Sequence, residues 1–290
     1  SEFNIVVPKN EKRVIKAGIL GNDLKYSIIQ DDTSDSSYVA VGVNVGSEMD
    51  PDNYEGLAHF LEHMLFLGSK KFSGEKDFEE KVKMNGGMTN AYTAGNITVY
   101  YLSVLHSGLE EILDMFSQFF ISPLFNSESV GREVNAVDSE HQKNIQNDLW
   151  RMHRFKTILS NPEHPMNRFS TGSLETLGKD DVRSRMIDFD NEYYCSNNIS
   201  ISVSTNRSID ETEKLINKYF SLIKRKDEIK GKELYLEKMR NIPVFKNEQL
   251  GKCYQLIPIK DLKVLSYMWA IPSEIVNYQS KNWNIISYVF

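Results

Sequence analysis

The sequence predicts an α+β fold with a mixed, largely antiparallel sheet, helices packed on one face of that sheet, and the start of a second, similar domain. Short runs of alternating β-branched and aromatic residues, such as 25–30 and 38–46, indicate half-buried strands. Two such runs within 88–105 flank a Gly-Asn turn, which is typical of an antiparallel hairpin. Longer segments with helical periodicity alternate with these strands, so the sheet is expected to carry a helical layer.

The individual elements follow from these periodicities and from their start and stop signals. Gly86 and Gly87 end one helix, Pro123 ends another, and Asn126 or Ser127 can cap a third. A polar turn at 31–37 separates the first two strands. The predicted strands are 25–30, 38–46, the two halves of 88–105, and 198–204. The predicted helices are 56–67, 75–84, 109–120, 127 to about 146 with further helix beyond, 180–191 and 209–223.

The C-terminal part of the chain predicts a second unit. Residues 226–241 are highly charged and weakly periodic, so they are interpreted as a linker. After them, 253–259 and 264–271 have the composition of two new strands, and a helix starts near residue 282. The predicted organisation is therefore a first α+β domain over 1–225, a charged linker over 226–241, and the truncated start of a second, similar domain over 242–290.

Composition excludes several classes of protein. Of the 290 residues, 40% are hydrophobic and 26% charged, which is ordinary for a globular protein, and the net charge of −6 predicts no nucleic-acid partner. No apolar run approaches the roughly 18 to 20 residues of a membrane helix. The chain has two cysteines, Cys195 and Cys253, which favours a reduced, cytoplasmic compartment. Because the first residue is Ser1, a native targeting segment is expected to be processed or trimmed if one exists.

The motif that predicts chemistry lies in the apolar helix 56–67. His59 and His63 are four residues apart, so both imidazoles leave one face of the helix, one turn apart. Such a pair can bind one metal ion, and Glu62 lies beside the same position. The pattern His-x-x-Glu-His is the inverse of the usual zinc-peptidase helix. The alternative is that both histidines are packing residues that hydrogen-bond to backbone carbonyls.

A catalytic zinc ion requires a third protein ligand and an open position. The segment GREVNAVDSEHQKN offers two candidates, Glu133 and Glu140, which are seven residues apart and therefore two turns apart on one helix face. The alternative is a charged surface that faces solvent, since charge runs are usually solvated.

These residues resemble the insulysin/pitrilysin family of inverted zinc peptidases. The resemblance rests on His59-x-x-Glu62-His63 followed by Glu140, on REVNAVDSEH, on GLAHFLEHMLFLGSKKF and on IPIKDLKVL. It implies one Zn²⁺ per chain with His59, His63 and Glu140 as ligands. Zinc-bound water would be the nucleophile and Glu62 the general base in the hydrolysis of short to medium peptides.

The same resemblance implies further roles. Glu133 matches a glutamate that supports the zinc site. Asn90 and Ala91, in GMTNAYTA, match the strand that receives substrate, where a peptide would add as one more strand. For Asn90 the alternative is a turn residue beside Gly86 and Gly87.

The chain departs from the family in length, because active members have two halves that close around the peptide. The missing C-terminal half of the parent protein would supply arginine and tyrosine groups near the substrate. The resemblance therefore implies an N-terminal fragment with weak or no activity alone. A non-catalytic assembly subunit of the same fold is the alternative function, but such subunits typically lose residues of the zinc motif, and all five positions are present here.

Overall fold

The fold is built on one six-stranded sheet. The computed structural model describes residues 3–271 and 279–289. The strands are β1 (Val14–Ile19), β2 (Lys25–Gln30), β3 (Ser36–Val43), β4 (Met88–Thr93), β5 (Thr98–Leu105) and β6 (Ile199–Thr205). They lie in the order β1-β2-β6-β3-β5-β4. Strands β2 and β6 pair in parallel and the other neighbours are antiparallel, so the predicted mixed, largely antiparallel sheet is confirmed.

Helices cover one face of the sheet. The α-helices of the described residues are α1 (Leu57–Leu65), α2 (Asp77–Met84), α3 (Leu109–Ile121), α4 (Ser127–Asn144), α5 (Asp148–Ile158), α6 (Leu174–Leu177), α7 (Val182–Tyr193), α8 (Ile209–Phe220), α9 (Lys230–Asn241) and α10 (Asn282–Val289). Helices α1, α2 and α8 contact the strands, whereas α10 has no buried residue. In β5 the side chains of Tyr100, Leu102 and Val104 are buried, whereas the alternate residues are only half-buried. This period of two places the helical layer on a single side.

The hydrophobic core lies between the sheet and helices α1 and α3. Five large side chains of α1 are fully buried: Leu57, Phe60, Leu61, Met64 and Leu65. Across from them, aromatic rings of α2, α3 and β5 pack edge to face, for example Phe78 on Phe119 at 4.7 Å between ring centroids. Burial of this kind contributes roughly 1.5–3 kcal/mol for each large apolar side chain. The core therefore holds α1 rigidly under β4 and β5.

One strand was not predicted. Strand β1, with the sequence VIKAGI, forms the edge of the sheet beside β2. Its residues are mostly half-buried and lack the clear alternation of the central strands. The pairing with β2 therefore decides its conformation.

The C-terminal region differs from the prediction in two respects. Part of the segment interpreted as a linker forms helix α9, whose Tyr235 is buried and donates a hydrogen bond to Glu48 at 2.7 Å. The strands predicted at 253–259 and 264–271 are wrong, since residues 251–271 contain no strand. This stretch lies largely exposed, and the amides of Ile259 and Lys260 bind the Asp148 carboxylate instead of a neighbouring strand. The predicted helix near 282 is present as α10. The domain boundaries themselves stay a prediction.

Candidate metal centre

The buried loop before α1 fixes the start of that helix. Asp50 is 2% exposed, and its carboxylate accepts hydrogen bonds from the amides of Gly56 at 2.7 Å and Ala58 at 2.8 Å. These amides belong to the first turn of the helix, which has no other intrahelical acceptor for them. Burial raises the pKa of Asp50 to about 8, against the lowering effect of the two amide bonds.

His59, His63 and Glu140 converge on one point. The Nε2 atom of His59 lies 3.5 Å from Glu140 Oε2, and Nε2 of His63 lies 3.8 Å from the same oxygen. The three ligand atoms all lie within 4.8 Å of one another. The histidines come from α1 and the glutamate from α4, so packing between these two helices creates the cluster.

The cluster fits a zinc ion. Zinc–ligand bonds of about 2.0–2.2 Å in tetrahedral geometry place neighbouring ligand atoms roughly 3.4 Å apart. The histidine–glutamate distances of 3.5 and 3.8 Å are close to this spacing, and the widest separation in the cluster, up to 4.8 Å, would have to contract around an ion. Two imidazoles and one carboxylate are a donor set that catalytic zinc sites use. Side-chain exposure rises from 12% at His59 to 25% at His63 and 41% at Glu140, so the centre opens to solvent on the α4 side.

The other nitrogen of each imidazole has its own acceptor. His59 Nδ1 lies 2.7 Å from the carbonyl oxygen of Thr171, and His63 Nδ1 lies 3.5 Å from Glu133 Oε2. A proton on each Nδ1 leaves Nε2 as a free lone pair directed at the shared point. Metal-binding histidines in proteins are usually oriented in this way.

The charges around the centre are strongly coupled. Burial opposes the charged form of His63, but hydrogen bonds to Glu133 and Glu140 outweigh it and raise the pKa of His63 to about 9. The same bonds to His63 lower the pKa of Glu133 and of Glu140. Both glutamates are therefore held as carboxylates, which suits a cation at the shared point.

Glu62 lies on the same helix beside this point and is 7% exposed. Its Oε2 atom accepts a hydrogen bond of 2.6 Å from the hydroxyl of Thr93 at the end of β4. Burial raises the pKa of Glu62, while His59, Thr93 and His63 act in the opposite direction. A carboxyl group in such a setting is suited to exchange protons.

Asn90 and Ala91 lie on β4, the edge strand of the sheet. The Asn90 side chain is exposed, and its Oδ1 accepts the amide of Ala91 at 2.9 Å. The strand therefore has a solvent-facing edge within a few residues of Thr93, and Asn90 lies within the strand and not in a turn.

A cavity of about 300 Å³ adjoins the centre near Thr171 and His141. Its lining includes the aromatic side chains of Trp150, Phe155 and Phe169 together with polar and charged residues such as Arg151 and Arg154. Asn144 also contributes, and its Nδ2 is the one buried side-chain nitrogen or oxygen without a hydrogen-bond partner among the residues that the structure describes.

Sequence reasoning missed Thr93 and Thr171. Thr93 lies in the stretch GMTNAYTA. Because side chains alternate along β4, Thr93 lies on the same face as Ala91, and the sequence pattern could have identified that face. Thr171 acts through its backbone carbonyl and is 112 residues from His59, so no sequence signal identifies it. His141, next to Glu140 on α4, contacts Phe169 with 4.8 Å between the ring centroids and does not belong to the cluster.

The fold and the centre define the class of protein. A sheet with helices on one face places an inverted His-x-x-Glu-His helix against a glutamate of a second helix, which is the pattern of the inverted zinc peptidases. Comparison with protein families agrees. The family described as Insulinase (Peptidase family M16) matches residues 26–163, and the Peptidase M16 inactive domain matches residues 181–290. The chain therefore belongs to the insulinase family, as the motifs predicted.

Individual relatives support this membership. The chain is 40% identical to the insulin-degrading enzyme of Homo sapiens over 268 residues, which are 90% of this chain and 26% of the relative. It is 37% identical to the A-factor-processing enzyme of Saccharomyces cerevisiae, over 99% of this chain and 28% of the relative. The crystal structure of pitrilysin matches 86% of the chain and 26% of its own length, with a TM-score of 0.78 and 31% identity. The chain thus spans about a quarter of the length of these proteins.

Proposed function

We propose that the chain contains the catalytic centre of a zinc-dependent endopeptidase that hydrolyses peptide bonds of short to medium peptides. The observation that supports this most strongly is the convergence of His59, His63 and Glu140 within 4.8 Å, with Glu62 adjacent to His63 on the same helix. Three protein ligands leave one coordination position open, which is the arrangement of catalytic zinc and not of structural zinc.

The residues of the proposed centre have separate roles in catalysis. A zinc ion bound there would lower the pKa of a bound water to about 7 and polarise the substrate carbonyl. Thr171 and Glu133 accept from the Nδ1 atoms of His59 and His63, which leaves Nε2 of each ring for the ion. Binding of the ion would release the proton that the pKa of about 9 keeps on His63. Glu62 takes a proton from the attacking water and passes it to the leaving amine. Glu133 keeps the ring of His63 in place.

The substrate is proposed to bind as a strand along β4. A peptide backbone pairs with the open edge at Asn90 and Ala91, which brings its scissile bond towards Glu62. The cavity beside Thr171 suits a large apolar side chain of the peptide, and the free Asn144 amide can donate to a carbonyl within it.

The chain alone is proposed to be weakly active or inactive, because closure around a substrate needs the second half that the longer relatives have. The missing C-terminal half of the parent protein is therefore its proposed partner. Among the described residues, no helix combines the length and apolarity needed to cross a membrane. The cytoplasmic location stays a prediction.

The test measures zinc content and hydrolysis of a mixed set of quenched fluorescent peptides. We expect one zinc ion per chain in the unsubstituted protein and in Glu62→Gln, since Glu62 is not a ligand. Turnover should disappear in Glu62→Gln. His63→Ala should lower zinc affinity by more than the roughly 10–100-fold typical of losing an outer partner.

His141→Ala is the matched control, since this histidine lies on α4 next to Glu140 and contacts Phe169 instead of the centre. It should retain zinc. Absence of zinc from the unsubstituted chain would refute the ligand assignment. Bound zinc without any turnover, even with the remainder of the protein supplied, would favour the non-catalytic assembly subunit.

A further inference from the structure

We propose that Thr93 is a positioning residue that fixes the Glu62 carboxylate and links it to the substrate-receiving strand β4. The inference rests on the proposed function for the roles of Glu62 and β4. The contact itself is independent of them, because it joins two side chains of the chain. The hydroxyl of Thr93 is thereby assigned a part in catalysis without contact with the reacting atoms.

The contact has the geometry of a strong hydrogen bond. Thr93 Oγ1 donates to Glu62 Oε2 at 2.6 Å, within the roughly 2.5–2.7 Å of a hydroxyl bound to an ionised carboxylate. Thr89, Ala91 and Thr93 alternate with the exposed residues of β4 and face the helical layer. Glu62 is buried on α1, so the hydroxyl reaches a carboxylate that has little access to solvent.

One such bond selects an orientation for the carboxylate. The terminal torsion of a glutamate is broad, so an unrestrained group would present either oxygen in many directions. With Oε2 held by Thr93, the carboxylate is restrained to one orientation. A general base depends on being within hydrogen-bond reach of the proton that it takes, so loss of this restraint should slow the proton transfer.

The backbone around Thr93 is fixed to the same loop that starts α1. The amides of Ser47 and Glu48 donate to the carbonyls of Ala94 and Gly95 at 3.0 and 2.8 Å. A Cβ atom at Gly46 would lie 2.1 Å from the Ala94 oxygen, so only glycine allows this approach. Two residues after Glu48, Asp50 holds the first turn of α1.

The end of β4 and the beginning of α1 are therefore attached to one short segment, residues 46–50. Movement of β4 relative to α1 would break several backbone hydrogen bonds at once. A peptide added to β4 would thus meet Glu62 at a set distance, because the strand that binds the peptide also holds the base.

The experiment compares Thr93→Val, which keeps the shape and removes the hydroxyl, with Thr93→Ser, which keeps the hydroxyl. Thr89→Val is the matched control. Thr89 lies on the same face of β4, and the substitution removes its hydroxyl, which donates to the Tyr101 carbonyl. Each variant is measured in the zinc-loaded state with the remainder of the protein supplied, with kcat and KM determined separately and zinc content recorded.

We expect Thr93→Val to lose about 10–100-fold in kcat, the range typical of outer partners of a catalytic group, with KM and zinc content unchanged. Thr93→Ser should restore most of the loss, and Thr89→Val should change kcat by less than about threefold. The proposal is overturned if Thr93→Val keeps its kcat, if it changes KM alone, or if Thr93→Ser falls as far as Thr93→Val.

A second measurement needs neither zinc nor turnover. In the metal-free chain, Thr93→Val, Glu62→Ala and the double variant form a thermodynamic cycle of thermal unfolding. The Tm decrease of the double variant should be smaller than the summed Tm decreases of the two single variants by at least about 3 °C. A difference of this size is expected for a hydrogen bond to a charged group. Additive shifts would show that the two side chains do not interact.

The two measurements separate the two proposals. If the unsubstituted chain binds zinc but hydrolyses nothing even with the remainder of the protein supplied, the proposed function fails, and the cycle still decides whether Thr93 fixes Glu62. If the chain hydrolyses peptides and the shifts are additive, only the role of Thr93 is lost.

Discussion

At the residue scale, the direction of each imidazole matters as much as its presence. His59 and His63 each use Nδ1 for a protein acceptor and direct Nε2 at the point shared with Glu140. A histidine without such an acceptor would exchange tautomers and ring orientations, and would bind a metal ion less tightly. We therefore expect Thr171 and Glu133 to influence the metal affinity of the proposed centre, although neither belongs to the motif.

His164 provides a residue-scale prediction about pH. It is 3% exposed, its Nδ1 accepts the amide of Met166 at 3.1 Å, and burial lowers its pKa, against the opposing effect of Glu48. The unfolded chain takes up a proton near pH 6.5, but the folded chain resists it until lower pH. The contribution of His164 to the free energy of unfolding is therefore fully present above pH 6.5 and is lost as the pH falls below that value.

His164→Asn is the test variant, because asparagine also accepts an amide hydrogen bond at a helix start but does not titrate. Unfolding in urea between pH 7.5 and 5 should show a steeper loss of stability in the unsubstituted chain. The difference in slope is at most about 1.4 kcal/mol per pH unit for one proton. Identical slopes would contradict the assignment.

At the element scale, two glycines bring a loop and a helix into backbone contact. Gly56 and Gly172 both have positive φ, at 93° and 85°, and a Cβ atom at Gly56 would lie 2.2 Å from the Cα of Gly172. The contact sets the loop that contains Thr171 against the start of α1. The Thr171 carbonyl that orients His59 can therefore occupy its position because neither glycine has a side chain.

Gly172→Ala should accordingly weaken the metal centre. The left-handed conformation costs a non-glycine residue roughly 1–2 kcal/mol, and the added Cβ would lie 2.7 Å from Leu177, so the loop must shift. We expect zinc affinity to fall by about 10–100-fold, as for loss of an outer partner. Isothermal titration of the metal-free variant with zinc measures this.

Gly131→Ala is the matched control for that substitution. Gly131 lies within α4, and a Cβ there meets no atom within 4 Å. Alanine should stabilise the helix by about 0.5–1 kcal/mol and leave zinc affinity unchanged. Equal zinc affinity in the Gly172 and Gly131 variants would refute the role of the glycine contact.

At the scale of the whole molecule, helix α9, which lies within the segment interpreted as a linker, packs against elements that precede it in the chain. Ile229 and Tyr235 are buried, Tyr235 binds Glu48, and the Gly231 amide donates to Glu192 at 3.0 Å. In contrast, most large apolar side chains after residue 250 are exposed. The contacts therefore favour a first domain that ends near residue 250.

Two truncated chains test this boundary. The chain 1–250 should unfold in urea at nearly the same free energy as 1–290. The chain 1–225 should lose about 2–4 kcal/mol, because burying a residue such as Ile229 contributes roughly 1.5–3 kcal/mol and the bond from Tyr235 to a carboxylate adds to it. Equal free energies of unfolding for 1–225 and 1–250 would instead support the interpretation of residues 226–241 as a linker.

How much the sequence could predict depends on the range of the interaction. Strands such as β3 and β5 and helices such as α3 and α4 follow from local periodicity and caps, and their bounds agree within a few residues. Strand β1 and helix α9 were missed because their apolar side chains become buried only against distant elements. The two predicted strands at 253–259 and 264–271 fail because composition cannot supply a pairing partner.

The sequence by itself determined that His59 and His63 share one face of α1 with Glu62 beside them, because residue spacing within a single helix fixes the directions of the side chains. It also placed Glu133 and Glu140 on one face of α4 for the same reason. The tertiary structure alone decided that α4 lies against α1, that Thr171 and Thr93 hold His59 and Glu62, and that β4 is the open edge. These contacts join residues 31 to 112 positions apart, and only the packed chain brings them within hydrogen-bond distance.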